Sequence, residues 1–362
     1  MKKRYLFAGW TLFFALPGMG QAVELNGDQL ELYGKVHVSL DYSDPDVATE
    51  DSQFSVSNNS TRIGFRGEHT INSGMTLMWQ YEQNVDIAES GGVFGSRNSF
   101  LGMKGGFGEV LAGHYDTPSK SLGSAWAMFS DTIGDRRAIL GAYSDGNGPA
   151  SDDYGNVLND RAENAVMYRN QFDALELRAM YSADPSSDDV TGGLDNNDRD
   201  LISMSLTYNM DQLTVGAALE QWSLDPANNA EEVDNLRLMA IYTLDRLQLG
   251  AIYESTDSDD PIYDRDAYGV NAKFRLDDAM DMRVQYLLAD DHGAQSDSGA
   301  QHLALGVFNQ LDAATRIYAA YTMTDNDANA SYQGINGGHG DKLATTAGGS
   351  PSSISVGAVY KF

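Results

Sequence analysis

The chain contains no cysteine, so it is not a small disulfide-stapled scaffold and must be stabilised by other means. It is also short of positive charge: 24 Lys and Arg stand against 52 Asp and Glu, a formal net charge of −28. Nucleic-acid binding needs a basic face, so nucleic acid is excluded as a partner class. Beyond the N-terminal segment no apolar run reaches the ~20 residues that a membrane-spanning helix requires. The six histidines, His37, His69, His114, His292, His302 and His339, include no pair with ligand spacing of the H-x-x-x-H kind. Neither a nucleophile elbow nor a Walker loop occurs. His114 beside Asp116 is the nearest approach to a hydrolytic pair, and its place at a strand end suits a lining role better. These gaps argue against an enzyme, a metal centre or a cofactor.

What is present begins with Met1–Ala22, which reads as a secretory signal peptide. Lys2, Lys3 and Arg4 form the charged start, Tyr5 to Leu16 the apolar run, and Gly20-Gln21-Ala22 the small-residue cleavage site. Cleavage would leave residues 23–362 as one barrel domain. Losing three cations takes 24 basic residues to 21 against 52 acidic ones, a charge of about −31.

From Leu30 onward the dominant pattern has period two. In Leu30–Tyr42, Leu30, Leu32, Gly34, Val36, Val38, Leu40 and Tyr42 alternate with Glu31, Tyr33, Lys35, His37, Ser39 and Asp41. Successive residues of a strand point to opposite faces, so such a strand divides an apolar medium from a polar one. Ser60–His69 sets Thr61, Ile63 and Phe65 against Arg62, Arg66 and Glu68, and Met75–Val85 sets Met75, Leu77, Trp79 and Tyr81 against Thr76, Gln80 and Glu82. Further copies run to Ser353–Phe362, making sixteen candidate strands.

The connections alternate between short turns, such as Leu244-Asp245-Arg246, and long acidic loops, such as Asp184–Arg199 and Asp325–Pro351. Strict alternation implies antiparallel neighbours, with tight turns at one end and long loops at the other. That asymmetry, with strands of about ten alternating residues, predicts an all-β, 16-stranded antiparallel transmembrane barrel. Its bore is too wide for side chains to fill and becomes a polar lumen. The polar face carries Lys35, Arg62, Arg66, Arg161, Arg237, Lys273, Arg275, Arg283 and Arg316. Tyr42, Trp79, Tyr81, Tyr115, Tyr181, Tyr208, Trp222, Tyr242 and Tyr253 fall near strand ends, where interfacial girdles sit.

One stretch breaks the pattern. Arg97–Lys104 and Glu109–Tyr115 form a hairpin about Gly105-Gly106-Phe107-Gly108, and after Asp116 the alternation stops. The long loop that follows mixes Leu122, Trp126, Met128, Phe129 and Ile133 with Asp131 and Asp135. Loops of that length are functional or disordered, and this apolar content argues against disorder. Trp126, Met128 and Phe129 are therefore expected to pack against an inner wall.

The chain resembles the general porins of Gram-negative outer membranes along essentially its whole mature length. The similarity rests on Leu32-Tyr33-Gly34-Lys35, on Ser60 to Glu68 (STRIGFRGE), on Gly105 to Val110 (GGFGEV), on Gly113 to Pro118 (GHYDTP) and on the terminal Tyr360-Lys361-Phe362. It implies a homotrimer in contact with lipopolysaccharide, a third loop folded into the pore, and a C-terminal strand read through Tyr360 and Phe362 by the barrel assembly machinery. It also implies a constriction in which Lys35, Arg62, Arg97 and Arg161 face Asp131 and Asp135. Arg136 and Arg137 stand close enough in sequence to neutralise Asp135 locally, and Lys120 adds a further lumen charge. The expected function is passive diffusion of small hydrophilic solutes and ions, with weak cation selectivity set by the acidic loops. A substrate-specific channel using Tyr33, Tyr143, Tyr154 and Trp126, or a surface adhesin using those loops, are the alternatives.

Overall fold

A computed structural model describes residues 23–24, 30–89, 97–142, 157–185, 200–223 and 232–362; the proposed signal peptide, Tyr143 and Tyr154 lie outside them. The staves of the barrel are β1 (Glu31–Asp44), β2 in two pieces (Gln53–Asn58 and Arg62–Asn72), β3 (Met75–Asn84), β4 (Ser99–Gly105) and β5 (Gly108–Asp116). They continue as β6 (Arg161–Phe172), β7 (Leu175–Ser182), β8 (Asp200–Asn209), β9 (Leu213–Ser223), β10 (Glu232–Leu244) and β11 (Leu247–Ser258). The last are β12 (Arg265–Arg275), β13 (Met280–Ala289), β14 (Ala300–Gln310), β15 (Thr315–Asn326) and β16 (Ser352–Lys361). Each pairs antiparallel with its neighbours, and β16 closes on β1 in a register running from Ser352↔Asp44 to Lys361↔Lys35. The sixteen staves therefore leave no open edge, which lets unaided backbone hydrogen bonding survive in lipid.

Burial is inverted relative to a soluble protein. Leu40, Phe54, Ile354, Val356 and Tyr360 are exposed on the outer surface, Phe54 by 80 %. Lys35, His37, Ser39, Asp41 and Ser43 of β1 are buried on the inner face. The outer band is the apolar surface that lipid covers. Tyr42, Tyr81, Tyr181, Tyr208 and Tyr242 are exposed as a girdle requires, but Trp222 is not: it points inward, 1 % exposed, and its indole Nε1 donates to Glu220 at 3.0 Å. Arg275, expected on the polar face, lies at the end of β12 and bonds to the Asp245 carbonyl in the adjacent short turn between β10 and β11.

The two pieces of β2 explain another departure from simple alternation. Ser60 adopts a left-handed φ of 52° between them, so the outward positions change from Phe54 and Val56 to Ile63 and Phe65. Thr61 consequently does not share the apolar face; it is buried and its Oγ1 accepts from the His37 backbone N–H at 3.0 Å. An inserted residue that shifts side-chain parity is a bulge, which alternation alone does not reveal.

Two connections fold into the bore. The first follows β5 and begins with α1 (Pro118–Trp126), capped by Thr117, whose side chain accepts from the Lys120 N–H at 3.1 Å. The second, residues 327–351 between β15 and β16, buries Tyr332, Ile335 and Leu343. Ile335 and Leu343 join Met128, Phe129, Ile133, Phe308 and Tyr318 in one apolar cluster inside the barrel. Trp126 belongs to a neighbouring cluster with Leu122, Ile139, Leu140 and Ile252. The apolar residues of the loop after β5 are thus packed inside the barrel.

Candidate pore constriction

The loop after β5 is pinned to the wall by a buried ion cluster. Arg237 on β10 holds Glu254 on β11 at 2.6 Å, and Arg265 on β12 approaches the same carboxylate at 3.3 Å. All three then reach into the loop: Arg237 donates to Ser119 Oγ (3.2 Å) and to the Leu158 carbonyl (3.1 Å), Arg265 donates to the Ile139 carbonyl (2.9 Å), and Glu254 accepts from the Gly141 N–H (2.6 Å). Burying charge is costly unless it is paired and hydrogen-bonded, and Arg237 and Glu254 meet both conditions. Farther along, Arg283 donates to the Met128 carbonyl at 2.7 Å while stacking 3.8 Å above Phe308, and Gln285 donates to the Gly134 carbonyl at 2.9 Å. Asn271 donates to the Trp126 carbonyl at 3.0 Å.

With the loop held there, its acids meet the opposite wall. Lys35 Nζ lies 2.7 Å from Asp131 Oδ2, a contact spanning the bore between β1 and the loop. Asp131 is held in a left-handed φ of 59°. Arg137 grips Asp135 through two nitrogens, at 2.9 and 2.8 Å, and reaches Asp131 at 3.3 Å. Asp135 is 1 % exposed, so it lies beneath Arg137 and does not itself line the water path. Arg136 turns away to Asn159 at 3.1 Å. Burial works against ionisation of both acids, yet Lys35 and Arg137 hold Asp131 well below the usual carboxylate range, and Arg137 lowers Asp135 as well.

The remaining expected cations form two groups on the wall. Arg97 Nε and Arg62 Nε face Glu82 of β3 at 2.6 and 3.6 Å, and Tyr33 donates to the same carboxylate at 3.0 Å. Arg161 and Lys120 share Asp116, at 3.3 and 2.9 Å, where Asn98 also donates at 2.8 Å. Burial pushes the Lys120 ammonium down to about 8 although Asp116 opposes the shift.

All the expected basic residues therefore lie on or across the inner wall, but only Lys35 meets a loop acid directly. Glu82 and Asp116 are the acids that serve the others. Glu82 was visible on the polar face of β3, and Asp116 stands where alternation stops, but nothing in the linear pattern joins them to Arg62, Arg97 or Arg161. The second inward loop supplies the last contact. Gly338 sits so close that a Cβ there would meet Asp131 Oδ1 at 1.8 Å, while Gly337 adopts φ +74° beside Asp135 and Arg137. Only a chain lacking side chains fits against that ion cluster.

A family model described as Gram-negative porin matches residues 9–329. The chain belongs to that family. Its place is accordingly the outer membrane. The major outer membrane protein P.IB of Neisseria gonorrhoeae is 31 % identical over 104 residues, covering 26 % of this porin and 30 % of that protein. The P.IB of Neisseria meningitidis serogroup B / serotype 15 (strain H44/76) is 37 % identical over 76 residues, covering 20 % and 23 %. These alignments thus span about a third or less of the curated relatives. Among solved structures, the anion-selective porin from Comamonas acidovorans superposes with a TM-score of 0.77 at 21 % identity, covering 92 % of this porin and 99 % of that chain. The trimer form of in-vitro folded OmpT from Vibrio cholerae gives 0.66 at 20 % identity, covering 92 % and 99 %. At such identities the likeness establishes the fold alone.

Proposed function

We propose that this porin is a passive, water-filled channel for small hydrophilic solutes and ions rather than an enzyme. The observation that carries this is the loop after β5, pinned across a polar bore so that transit passes a neck lined by fixed ion pairs. The neck's contacts set six cations (Lys35, Arg62, Arg97, Lys120, Arg137, Arg161) against four carboxylates (Glu82, Asp116, Asp131, Asp135). The acidic surplus of the chain must then lie elsewhere, largely in the long loops at the mouth. Fixed charges there are screened over about 8 Å at physiological salt and act strongly only when salt is low. The weak cation selectivity expected from the sequence is therefore a property of the mouth, opposed by the neck.

The reading extends to assembly. The channel works as a homotrimer in a lipopolysaccharide-bearing membrane, the trimer form of the Vibrio cholerae neighbour supporting that state, and the barrel assembly machinery recognises Tyr360 and Phe362. Swelling of liposomes containing the purified porin, in a series of neutral sugars of rising size, tests the channel. Entry that falls smoothly with size is expected. Entry of one sugar alone would indicate a specific channel, and none at any size would refute a diffusion pore.

A further inference from the structure

His339, in the inward loop between β15 and β16, makes contacts that its neutral ring cannot satisfy opposite a carboxylate. The residue is 2 % exposed. Its Nδ1 lies 2.8 Å from the Asp341 carbonyl oxygen, which can only accept, so Nδ1 carries a proton. Its Nε2 lies 3.1 Å from Asp41 Oδ2 on the inner face of β1. Ser39 lies 3.4 Å from Nε2, but its hydroxyl points to Asp41 Oδ2 at 3.0 Å while accepting from Asn59 at 2.8 Å. A second proton must therefore sit between Nε2 and Oδ2. Whether it is drawn on the imidazole or the carboxyl, it belongs to the pair.

We propose that this shared proton makes the His339–Asp41 pair a pH-sensitive latch, holding the loop of residues 327–351 against the barrel wall and loosening it when the proton is lost. Without it, a carboxylate would face an imidazole lone pair in a site closed to water, a buried charge with no compensating donor. The loop that would loosen carries Gly337 and Gly338, which press on Asp131, Asp135 and Arg137 at the neck. It has room to shift: a cleft of about 610 Å³ is lined by Ser43 and Ser55 on the wall and by Gly340, Asp341 and Lys342 on the loop. Other ionisable groups face the latch. Lys35 and His37 lie on β1, with Tyr318 of β15 bonded to His37 at 2.9 Å. On the loop itself, Asp341 accepts from Ser57 at 2.5 Å and Lys342 donates to the His339 carbonyl at 2.8 Å.

The inference rests on the channel reading, and planar-bilayer recording separates the two. Raising the pH stepwise from acid through neutrality to alkaline, so that the shared proton is lost, should make the wild-type current larger and noisier. Asp41→Asn offers an amide N–H to a neutral His339 while Nδ1 keeps its bond to Asp341. That variant should stay quiet across the same range. His339→Ala should be noisy throughout. A pH response that persists in Asp41→Asn, or a wild-type current flat in pH, would overturn the latch and leave the channel intact. Absence of any channel at every pH would instead refute the channel reading.

Discussion

At the scale of single residues, the neck depends on a few atoms with no freedom to move. Gly338 is the sharpest case. Alanine there places a methyl group within 1.8 Å of Asp131 Oδ1, so either the inner loop lifts or the Lys35–Asp131 contact breaks. Gly338→Ala should give a larger and noisier conductance, whereas Gly106→Ala, at a turn where a Cβ meets nothing within 4 Å, should leave it unchanged. Equal behaviour of the two variants in single-channel recording would show that the loops do not meet at Gly338. Glu82 is the second case, because Arg62, Arg97 and Tyr33 all address one carboxylate. Glu82→Gln removes the acid that Arg62 and Arg97 share, in a region where unit charges at 4 Å interact by roughly 4 kcal/mol at an effective dielectric near 20. The reversal potential in a salt gradient should move toward anions. No movement would place Glu82 off the ion path.

At the scale of elements, the loop after β5 is held by two means, a buried polar cluster and an apolar one. Phe129 meets Phe308 edge to face at 5.7 Å, and Trp126 is 1 % exposed. Truncating a buried aromatic to alanine costs roughly 3–5 kcal/mol. The double variant Trp126→Ala with Phe129→Ala should therefore release the middle of the loop and raise both conductance and its noise. If both are unchanged, the Arg237–Glu254–Arg265 cluster suffices alone. Part of this element was legible beforehand: its place after Tyr115 and its apolar content follow from where alternation fails, whereas Asp131 entered only through the family resemblance. What could not be read were its partners. Glu254 and Arg237 lie about a hundred residues downstream of the loop they hold, and pattern along a strand gives its face but not its neighbour across a lumen. The inward course of residues 327–351 was hidden for a related reason. A polar, glycine-rich loop reads as a solvated surface until Tyr332, Ile335 and Leu343 are seen to be buried.

At the scale of the whole molecule, the proposed contrast between an acidic mouth and a neck with excess positive charge makes further predictions. Burial pushes the ammonium groups of both Lys120 and Lys342 down to about 8. Both are cationic below that value and neutral above it, so raising the pH from about 7 to about 9 removes positive charge from the neck at Lys120 and from the adjoining inward loop at Lys342. Cation selectivity should rise over that interval, and Lys120→Met with Lys342→Met should already show the higher value at pH about 7. Assembly belongs to this scale as well. Phe362 exchanges backbone hydrogen bonds with Gly34, at 2.8 and 3.1 Å, and its ring lies over that glycine, so the last residue closes the seam between β16 and β1. Deleting Phe362 should lower the yield of heat-modifiable trimer while leaving the conductance of any barrel that forms near normal.

The most direct test of the central claim, a water-filled channel whose acidic mouth and basic neck oppose each other, is the reversal potential of the unmutated porin in planar bilayers. It should be recorded under a fixed salt ratio at successively higher total salt. The account predicts cation preference at low salt that fades as the mouth charges are screened, with Asp131→Asn plus Asp135→Asn shifted toward anions and Arg62→Ser plus Arg97→Ser toward cations. Strong anion selectivity at low salt would contradict it, because the neck would then dominate where the mouth is least screened.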